Sequence, residues 1–501
     1  MKQVRIMEKD RLDIFFNPSS VAIIGATKKT EKAGYVIFKN FADNKKRGIY
    51  KGKIFPVNPK EETILGFKCY RKITEIPGEV ELIVIVVPAK VVPQIMIDAA
   101  SKKVKTAIII TAGFREIGEK ELEEQVVRTA NDAGIRILGP NCLGVYYSKT
   151  GVDTLFLPET KVLTTGDEII ATPRPLFGRI AIVTQSGAFG IAALDYLAGR
   201  QIGISKFVSF GNKSDITETD MIHYLLSDKE TKVILLYVED IKHGRRFLEI
   251  AKNVSLKKPI VVIKSGRSPA GARAAASHTG AIAGSDKVYD TVFKQTGVFR
   301  ANDMEEFFDA GKALSMQPPA LGKNIGILTD AGGPGIMAVD ECSRKGLVVN
   351  HFSKKTLDKF QILKNQGILP RFASISNPVD LTGSVTDEMY EEAVDLIFQD
   401  PDIHGIILLG LHHLPALREK YIDGVARISG KYQKPIVMCD IGETEMALYT
   451  RFRFDKLGIP AYPSPEDAAR AMNSLVKYGA FLKKNKHEKE YISRFFKKKE
   501  L

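Results

Sequence analysis

Short apolar runs alternate with predicted helices in the first part of the chain. These runs are bounded by Gly, Pro or Asn and lie at 20–26, 52–59, 81–89 and 105–113. Residues 90–103 and 116–133 between them are expected to be helical. Buried strands that alternate with helices are typical of a parallel sheet covered on both faces. The pattern therefore predicts a Rossmann-like domain over residues 1–145.

The same alternation starts twice more. A second set of predicted strands lies at 178–185, 204–210, 232–239 and 259–266, and a third set lies at 324–335, 404–413 and 434–440. We therefore predict an α/β protein with two flavodoxin-like doubly wound domains, at 179–315 and 322–475. Residues 146–178 are rich in Pro and Thr and are interpreted as a linker or surface excursion. Residues 476–501 are interpreted as a basic tail.

The second and third domains open with similar sequences, "RIAIVTQSGAFG" at 179–190 and "NIGILTDAGGPG" at 324–335. Each is predicted to be a strand, a turn of small residues and a helix start. Such a turn presents free backbone N–H groups and the positive end of the helix dipole, which favours a bound anion. A tight turn without a ligand is the alternative for either one alone, and the repetition favours an anion site.

Composition and charge narrow the class of protein. No apolar run approaches the roughly 20 residues that span a bilayer, and acidic residues at 8, 10 and 13 interrupt the start where a signal peptide needs an apolar segment. We expect no membrane association and a cytoplasmic location. The net charge is +14, but residues 476–501 hold nine Lys or Arg and three Glu. A solvated basic tail would explain much of this excess, so phosphorylated ligands are favoured over nucleic acid.

The four cysteines are far apart, without a CxxC pair or a nearby His at zinc spacing. They are expected to be reduced core residues, and no metal site is predicted from Cys69, Cys142, Cys342 and Cys439.

The turn after the first predicted strand indicates a ligand with a nucleotide part. The strand runs into Gly25, but Thr27 interrupts the GxGxxG fingerprint, and the second strand ends without an acidic residue for a ribose. Both features disfavour NAD, and coenzyme A fits better. Candidate phosphate partners are Thr27, Lys28, Lys32 and Lys51, although surface lysines of this kind are often only solvated.

His278 lies in a segment of unusually small residues. Between Ser265 and Ser285, 15 of 21 residues are Gly, Ala or Ser, so the segment is slim and tolerates more than one backbone course. We predict a loop that carries a phosphoryl group on the imidazole, with Glu239 at a strand end holding the proton on the other ring nitrogen. An incidental His in a flexible loop is the alternative from composition alone.

Four stretches together resemble one family: "VTQSGAFG", "VSFGNKSDI", "GRSPAGARAAASHTGAIAGSD" and "TDAGGPGIMAVD". The chain is similar to the α subunit of ADP-forming acyl-CoA synthetases, also called acetate–CoA ligase (ADP-forming), in the succinyl-CoA synthetase superfamily. The resemblance extends to about residue 475. It implies a CoA-binding Rossmann-like domain and two flavodoxin-like domains, with ATP-grasp domains on a separate β subunit.

The resemblance assigns roles to individual residues. It implies that His278 is the phosphorylated histidine and that Glu239 steadies it. It places phosphate and acyl binding at the two helix starts, at Gln185, Ser186, Gly187, Gly332, Gly333 and Gly335. It places CoA at Gly25, Thr27, Pro88, Thr111, Ala112, Gly113 and Asn141, beside the candidate lysines Lys28 and Lys51.

The implied reaction converts acyl-CoA, ADP and phosphate into a carboxylic acid, CoA and ATP through an acyl phosphate and a phosphohistidine. No ATP-grasp or Walker signature occurs in the sequence, so ADP or ATP and Mg²⁺ are expected on the β subunit of an α2β2 heterotetramer. A succinate-specific ligase subunit and a non-catalytic CoA-sensing module are the alternatives. The long segment 160–177 and the pair His412-His413 depart from the family pattern, and a polar strand end is favoured over a metal site at that pair.

Overall fold

A computed structural model of the chain describes residues 11–273 and 285–497. The chain forms two compact units. Unit 1 extends through Val254 and includes Val262–Thr296, and unit 2 comprises Ser255–Val261 and the chain from Gly297 onward. Both are built from mainly parallel sheets and helices, which confirms the predicted α/β class. Within the described residues, no helix has both the length and the apolar character to cross a membrane.

The first sheet of unit 1 is the predicted Rossmann-like one. The strands of this region are β1 (Ser20–Ile24), β2 (Lys53–Val57), β3 (Thr63–Ile64), β4 (Phe67–Lys68), β5 (Leu82–Ile85), β6 (Thr106–Ile109) and β7 (Arg136–Leu138). The sheet has the order β2-β1-β5-β6-β7 with every pair parallel, and β3 and β4 form a separate hairpin. The helices are α1 (Ala33–Lys46), α2 (Val92–Ser101) and α3 (Lys120–Ala133), with 3-10 turns at Ile73–Glu75, Ala89–Val91 and Arg115–Ile117.

Burial explains why these runs form strands. Every residue of β1, β5 and β6 is buried, and β-branched side chains on both faces of a strand are accommodated when helices cover the sheet. One face packs against α2 and α3 in a continuous apolar core. The parallel arrangement brings the carboxyl ends of these strands to one edge, where α/β proteins bind ligands.

The second sheet of unit 1 begins before the predicted domain boundary. Its region contains β8 (Gly144–Tyr147), β9 (Val152–Asp153), β10 (Thr160–Val162), β11 (Glu168–Ile170), β12 (Phe177–Thr184), β13 (Ile204–Ser209), β14 (Val233–Val238) and β15 (Ile260–Lys264). The order β14-β12-β13-β8-β9 runs across unit 1. The helices are α4 (Gly187–Gly199), α5 (Glu218–Ser227), α6 (Gly244–Ser255) and α7 (Asp286–Thr296).

The segment 146–178 has more structure than a linker. β8 pairs antiparallel with β13, and β9 pairs antiparallel with β8, so both strands extend the second sheet. β10 and β11 form a two-stranded antiparallel hairpin. The excursion proper is therefore confined to the hairpin and the turns that flank it.

Unit 2 contains a five-stranded parallel sheet with the order β18-β17-β19-β20-β21. The strands of this sheet are β17 (Ile325–Thr329), β18 (Val379–Asp380), β19 (Gly405–Leu409), β20 (Ile436–Cys439) and β21 (Ala461–Tyr462), and the short strand β16 (Phe299–Arg300) lies outside it. Its helices are α8 (Met304–Met316), α9 (Gly332–Arg344), α10 (Lys354–Asn365), α11 (Asp387–Gln399), α12 (Lys420–Ser429), α13 (Glu445–Lys456), α14 (Pro465–Lys484) and α15 (Glu488–Lys497).

The C-terminal segment differs from the predicted solvated tail. Helix α14 continues to Lys484 and α15 follows it, with Tyr491, Ile492 and Phe495 of α15 buried. The Tyr478 and Tyr491 rings pack edge to face with centroids 5.2 Å apart. The basic residues occupy one side of these helices, while apolar residues on the other side attach the segment to unit 2.

Candidate functional site

A cavity of about 930 Å³ lies inside unit 1, between the carboxyl ends of the first sheet and those of β12 and β14. Its volume is in the range of cofactor and ligand sites. Residues that the sequence singled out line both walls: Pro88, Thr111, Ala112 and Asn141 on the first-sheet side, and Gln185, Ser186, Gly187 and Glu239 on the second. The candidate CoA region and the first helix start therefore face one space.

The first-sheet wall is held by hydrogen bonds between neighbouring strand ends. The Thr111 hydroxyl donates to the Val87 carbonyl at 2.7 Å, and the Asn141 N–H donates to the Thr111 carbonyl at 2.9 Å. Asn141 has a φ of 56°, a left-handed conformation that Asn adopts more readily than most residues. These bonds connect the segments after β5, β6 and β7 into one rigid edge.

Gly25 shapes the turn after β1. Its φ is 97°, and a Cβ there would lie 2.4 Å from the Val86 carbonyl oxygen. The N-terminal end of α1 also passes close by, because a Cβ on Gly34 would lie 2.1 Å from the Gly25 carbonyl oxygen. Only glycines permit this approach. Ala33, at the start of α1, lines the cavity.

The remaining candidates of this region lie outside the cavity lining. The Lys28 ammonium is 3.1 Å from a Glu61 carboxylate oxygen, and the Gly113 N–H donates to Glu116 at 2.5 Å. Thr27 lies in the turn after β1 and accepts from the Lys29 N–H at 3.3 Å. Lys32 and Lys51 are exposed.

The second wall is organised by the side-chain amide of Gln185. Its Oε1 accepts from the Glu239 N–H at 2.9 Å, and its Nε2 donates to Asp240 Oδ1 at 3.0 Å. Gln185 follows β12 and the acidic pair follows β14, so one amide joins two strand ends. Ser186 caps α4, its hydroxyl accepting from the Phe189 N–H at 3.3 Å. The first turn of α4 thus begins at the cavity wall.

Three cationic side chains in the cavity lining were missed by the sequence analysis: Arg115, Lys213 and Lys242. The Lys213 ammonium is 2.8 Å from Asp240 Oδ1 and 3.3 Å from a Glu218 carboxylate oxygen, and Lys213 is almost completely buried. Lys213 lies two residues after Gly211 in the "FGNKSD" stretch, and its backbone has a φ of 46°. This stretch is part of the family resemblance, but the sequence alone does not show that the Lys213 side chain lines the cavity.

Lys242 differs from Lys213 in its partners. Its ammonium donates to the Lys213 carbonyl at 3.0 Å and makes no ion pair with any carboxylate in the described part of the chain. The residue as a whole is exposed, but partial burial of its side chain against the cavity wall, and then the positive charges of Arg115 and Lys213, lower the pKa of Lys242. The positive charges of Arg115 and Lys213 repel the Lys242 ammonium. A bound anion would offset this repulsion, so Lys242 is a suitable partner for an anion.

Two carboxylates near the cavity, those of Glu116 and Glu123, contact specific donor groups. Glu116 accepts from the Asn212 amide at 2.6 Å and from the Gly113 N–H. Burial would raise the pKa of the Glu116 carboxyl, but these hydrogen bonds hold it below its usual value. Arg115 lies 3.3 Å from the buried Glu123 carboxylate. The carboxylates of Glu116 and Glu123 therefore hold the neighbouring residues Asn212, Gly113 and Arg115 in position.

The second glycine-rich turn lies in unit 2. Gly332, Gly333 and Gly335 form the start of α9, after Ala331. A Cβ on Gly335 would lie 3.0 Å from Thr329 Cγ2, whereas none would be obstructed at Gly333. The turn thus has the predicted strand-to-helix form, with close packing at one glycine and open space at another.

His278 lies outside the described residues, so its predicted role remains a prediction. In the described part of the chain, no cluster of three His, Cys, Asp or Glu side chains has the arrangement of a metal site. Cys69, Cys142, Cys342 and Cys439 are buried and free in the structure, which confirms the expectation that they are core residues. Burial raises the pKa of Cys142 to about 12.

Three protein families match successive parts of the chain. A CoA binding domain matches residues 19–148, a succinyl-CoA ligase like flavodoxin domain matches 177–314, and a ligase-CoA domain matches 325–479.

Similar proteins match the chain along nearly its whole length. The acetate–CoA ligase [ADP-forming] I subunit alpha of Pyrococcus furiosus is 43% identical, over 95% of this chain and 100% of that protein. The acetate–CoA ligase [ADP-forming] of Methanocaldococcus jannaschii is 38% identical, over 95% of this chain and 64% of that longer protein. The structure of acetyl-coenzyme A synthetase 1 from Candidatus Korarchaeum cryptofilum, in complex with phosphate and ADP, superposes with a TM-score of 0.84 at 36% identity and covers 95% of this chain and 98% of that chain.

Proposed function

Because the chain belongs to the family of ADP-forming acetate–CoA ligase α subunits, we propose that it works with a partner subunit to interconvert acyl-CoA, ADP and phosphate with a carboxylic acid, CoA and ATP. The observation that carries this proposal is the cavity of unit 1, which is lined by strand ends of the CoA-binding domain and by the start of α4. The thioester and the attacking phosphate need such adjacent sites.

The first-sheet wall fits coenzyme A. Pro88, Thr111, Ala112 and Asn141 line one side of the cavity, and glycine at position 34 allows the start of α1 to approach the turn at Gly25. We assign Gly25, Thr27 and Gly113 to the shape of this wall, and Lys28 and Lys51 to outer contacts with phosphate groups. CoA supplies the thiol that carries the acyl group, and the protein supplies its orientation.

Phosphate binds at the opposite wall. The start of α4 at Ser186 and Gly187 offers backbone N–H groups and the positive end of a helix dipole. Lys242 and Arg115 line the same cavity and add positive charge. Here a phosphate oxygen attacks the thioester carbonyl carbon, the carbon–sulfur bond breaks, and CoA leaves as a thiolate that takes up a proton. The product is an acyl phosphate.

His278 accepts the phosphoryl group next. One imidazole nitrogen attacks phosphorus, the bond to the acyl oxygen breaks, and the carboxylate leaves. Glu239 holds the proton on the other nitrogen. The phosphohistidine then transfers its phosphoryl group to ADP. Gly332, Gly333 and Gly335 at the start of α9 supply a second set of N–H donors for the phosphoryl group in unit 2.

The nucleotide and Mg²⁺ bind to the partner, which we propose is an ATP-grasp β subunit in an α2β2 assembly in the cytoplasm. The absence of ATP-grasp and Walker signatures from this sequence supports a separate nucleotide subunit. The relative that this chain covers over its full length is named subunit alpha, which supports a partner subunit.

Reconstitution tests the proposal. The purified chain is mixed with acetyl-CoA, ADP, phosphate and Mg²⁺, with and without the candidate ATP-grasp subunit, and ATP is measured. We expect CoA binding by the chain alone and ATP only from the pair. In the reverse direction, the consumption of CoA is measured with acetate and with branched-chain, aryl and succinic acids. The acid that supports this consumption identifies the acyl group. CoA binding without ATP synthesis by the pair would instead support a CoA-sensing module, and exclusive use of succinate a succinate ligase.

A further inference from the structure

His412 and Asp440 form a buried pair in unit 2, at the carboxyl ends of β19 and β20. His412 Nδ1 lies 2.8 Å from Asp440 Oδ1, and the two side chains are 7% and 0% exposed. A carboxylate only accepts hydrogen bonds, so the proton of the imidazole lies on Nδ1. The lone pair of the imidazole is therefore on Nε2.

The Thr444 hydroxyl meets that lone pair. Thr444 Oγ1 lies 3.2 Å from His412 Nε2, and Thr444 is exposed. Thr444 occupies the N-cap position of α13, but its side chain makes no capping hydrogen bond. In the same unit, Ser353, Thr386 and Ser464 do cap their helices. The Thr444 hydroxyl is thus directed toward the imidazole at a position where hydroxyls usually bond to the helix.

Buried side chains fix the two segments that carry this group. Arg451 donates to the carbonyl oxygens of Asp440 at 2.7 Å and Gly442 at 2.5 Å. Asp330 Oδ2 accepts from the Leu411 N–H at 2.9 Å. The backbone is therefore anchored on both sides of the imidazole, and this anchoring holds the order carboxylate, imidazole, hydroxyl. This is the geometry in which a histidine activates a hydroxyl nucleophile.

We propose that Thr444, His412 and Asp440 form a second catalytic site, in unit 2, which transfers the acyl group of small activated esters to water. Thr444 Oγ1 attacks the ester carbonyl carbon and its proton passes to His412 Nε2. The bond to the alcohol oxygen breaks and the leaving alcohol takes up that proton. Water then attacks the acyl-threonine with His412 as base, the acid is released and the hydroxyl is restored. The site goes beyond the proposed ligase function and uses neither CoA nor His278.

The start of α13 supplies the other requirements of such a site. The N–H groups of its first turn, beginning at Glu445, have no acceptor within the helix and are not capped by Thr444, so they are available to the oxyanion that forms at the carbonyl. Met446 and Tyr449 are three residues apart on one face of α13 and expose 40% and 45% of their surface. They offer an apolar surface for a short acyl or aryl group.

The test uses the full chain alone with p-nitrophenyl acetate. We expect saturable release of p-nitrophenolate and, in acid-quenched samples, an acetyl group on the peptide that contains Thr444. Thr444→Val should remove both signals, and Thr444→Ser should keep both. His412→Gln and Asp440→Asn should lower the rate by about 100-fold or more, the range of general-base catalysis. His413→Gln is the matched control, since the His413 ring lies against His412 but makes neither hydrogen bond.

Folding of each variant is checked by circular dichroism and by CoA binding in unit 1. Hydrolysis at the wild-type rate by folded Thr444→Val, or acetylation only at other residues, would overturn the proposal. So would a wild-type rate no greater than that of the His412→Gln variant. None of these results depends on ATP synthesis. Failure of the esterase test therefore leaves the proposed ligase function intact, and failure of the ATP synthesis test leaves the proposed esterase site intact.

Discussion

Gln185 Oε1 accepts the backbone N–H of Glu239 at 2.9 Å, so the residue that opens the α4 turn also sets the position of the carboxylate after β14. The other end of the same amide donates to Asp240. One side chain therefore spans two strand ends and connects the proposed phosphate site to the group proposed to steady the phosphohistidine.

Glu239→Gln tests that connection. The amide keeps the size of the side chain but cannot hold the imidazole proton as a carboxylate does, so the phosphoenzyme should form more slowly and to a lower level. We expect a decrease of about 10- to 100-fold in the rate of labelling, since general acid–base assistance is worth at least that much. The matched control is Glu249→Gln, an exposed change on α6. Labelling at the wild-type rate in Glu239→Gln would remove the role assigned to this carboxylate.

Lys242→Gln should weaken phosphate binding. A hydrogen bond from a charged group contributes about 1.5–3 kcal/mol, so the KM for phosphate should rise about 10- to 100-fold, with a smaller change in the KM for ADP. Lys252→Gln, on the exposed side of α6, should leave both constants unchanged. Equal effects of the two substitutions would argue against a phosphate contact at Lys242.

The wild-type protein adds a pH test of the same lysine. Burial and the charges of Arg115 and Lys213 lower the pKa of Lys242, so its positive charge is lost at a lower pH than that of an ordinary lysine. The KM for phosphate should therefore rise with pH, and this rise should begin below about 10.4, the pKa of an ordinary lysine. This rise should be absent in Lys242→Gln.

Gly25→Ala should damage unit 1 locally. The added methyl group would lie 2.4 Å from the Val86 carbonyl oxygen at a φ of 97°. Conformational strain alone costs about 1–3 kcal/mol, and the contact adds to it. We expect a lower unfolding temperature and loss of CoA affinity, measured by calorimetry. Gly199→Ala, in α4 with open space around its Cβ position, should change neither quantity, and a tolerated Gly25→Ala would contradict the described turn.

Asp330 predicts a pH-dependent stability for unit 2. Burial raises its pKa to about 6, above the roughly 3.9 expected when unfolded. Between these values the folded protein holds a proton that the unfolded chain has released, so stability falls as the pH rises to about 6 and then levels off. Asp330→Asn avoids this loss and keeps an acceptor for the Leu411 N–H.

The variant should therefore be more stable than the wild type by about 2–3 kcal/mol above pH 6, with the difference disappearing below about pH 4. Urea unfolding across this pH range measures it. The exposed Asp340→Asn on α9 serves as the control for removing one negative charge. A constant difference at all pH values would show that burial of the charge is not its cause.

The sequence predicted those parts of the fold whose signal is local. The apolar runs that form β1, β5, β12 and β17 are predicted correctly because β1, β5 and β17 are buried at every residue and β12 is buried over its last five. β8 and β9 were missed, since strands of four and two residues carry little pattern. The burial of Tyr491 and Phe495 was also missed, because the surrounding lysines dominate the composition of the C-terminal segment.

The candidate site divides in the same way. Gln185, Ser186 and Glu239 stand at predicted strand ends, where parallel topology gathers ligand-binding groups. Lys242 and Arg115 have no local feature that separates them from surface residues, and only the three-dimensional arrangement brings them to the cavity. The hydrogen bonds of His412 likewise depend on Asp440 and Thr444, which follow a different strand.

The most direct test of the ligase function is to locate the phosphate. The chain is combined with its ATP-grasp partner and labelled ATP, digested under conditions that preserve phosphohistidine, and mapped by mass spectrometry. We expect one phosphate on His278 and none in a folded His278→Asn variant that still binds CoA. Phosphate retained by that variant, or mapped to another residue of the chain, would contradict it.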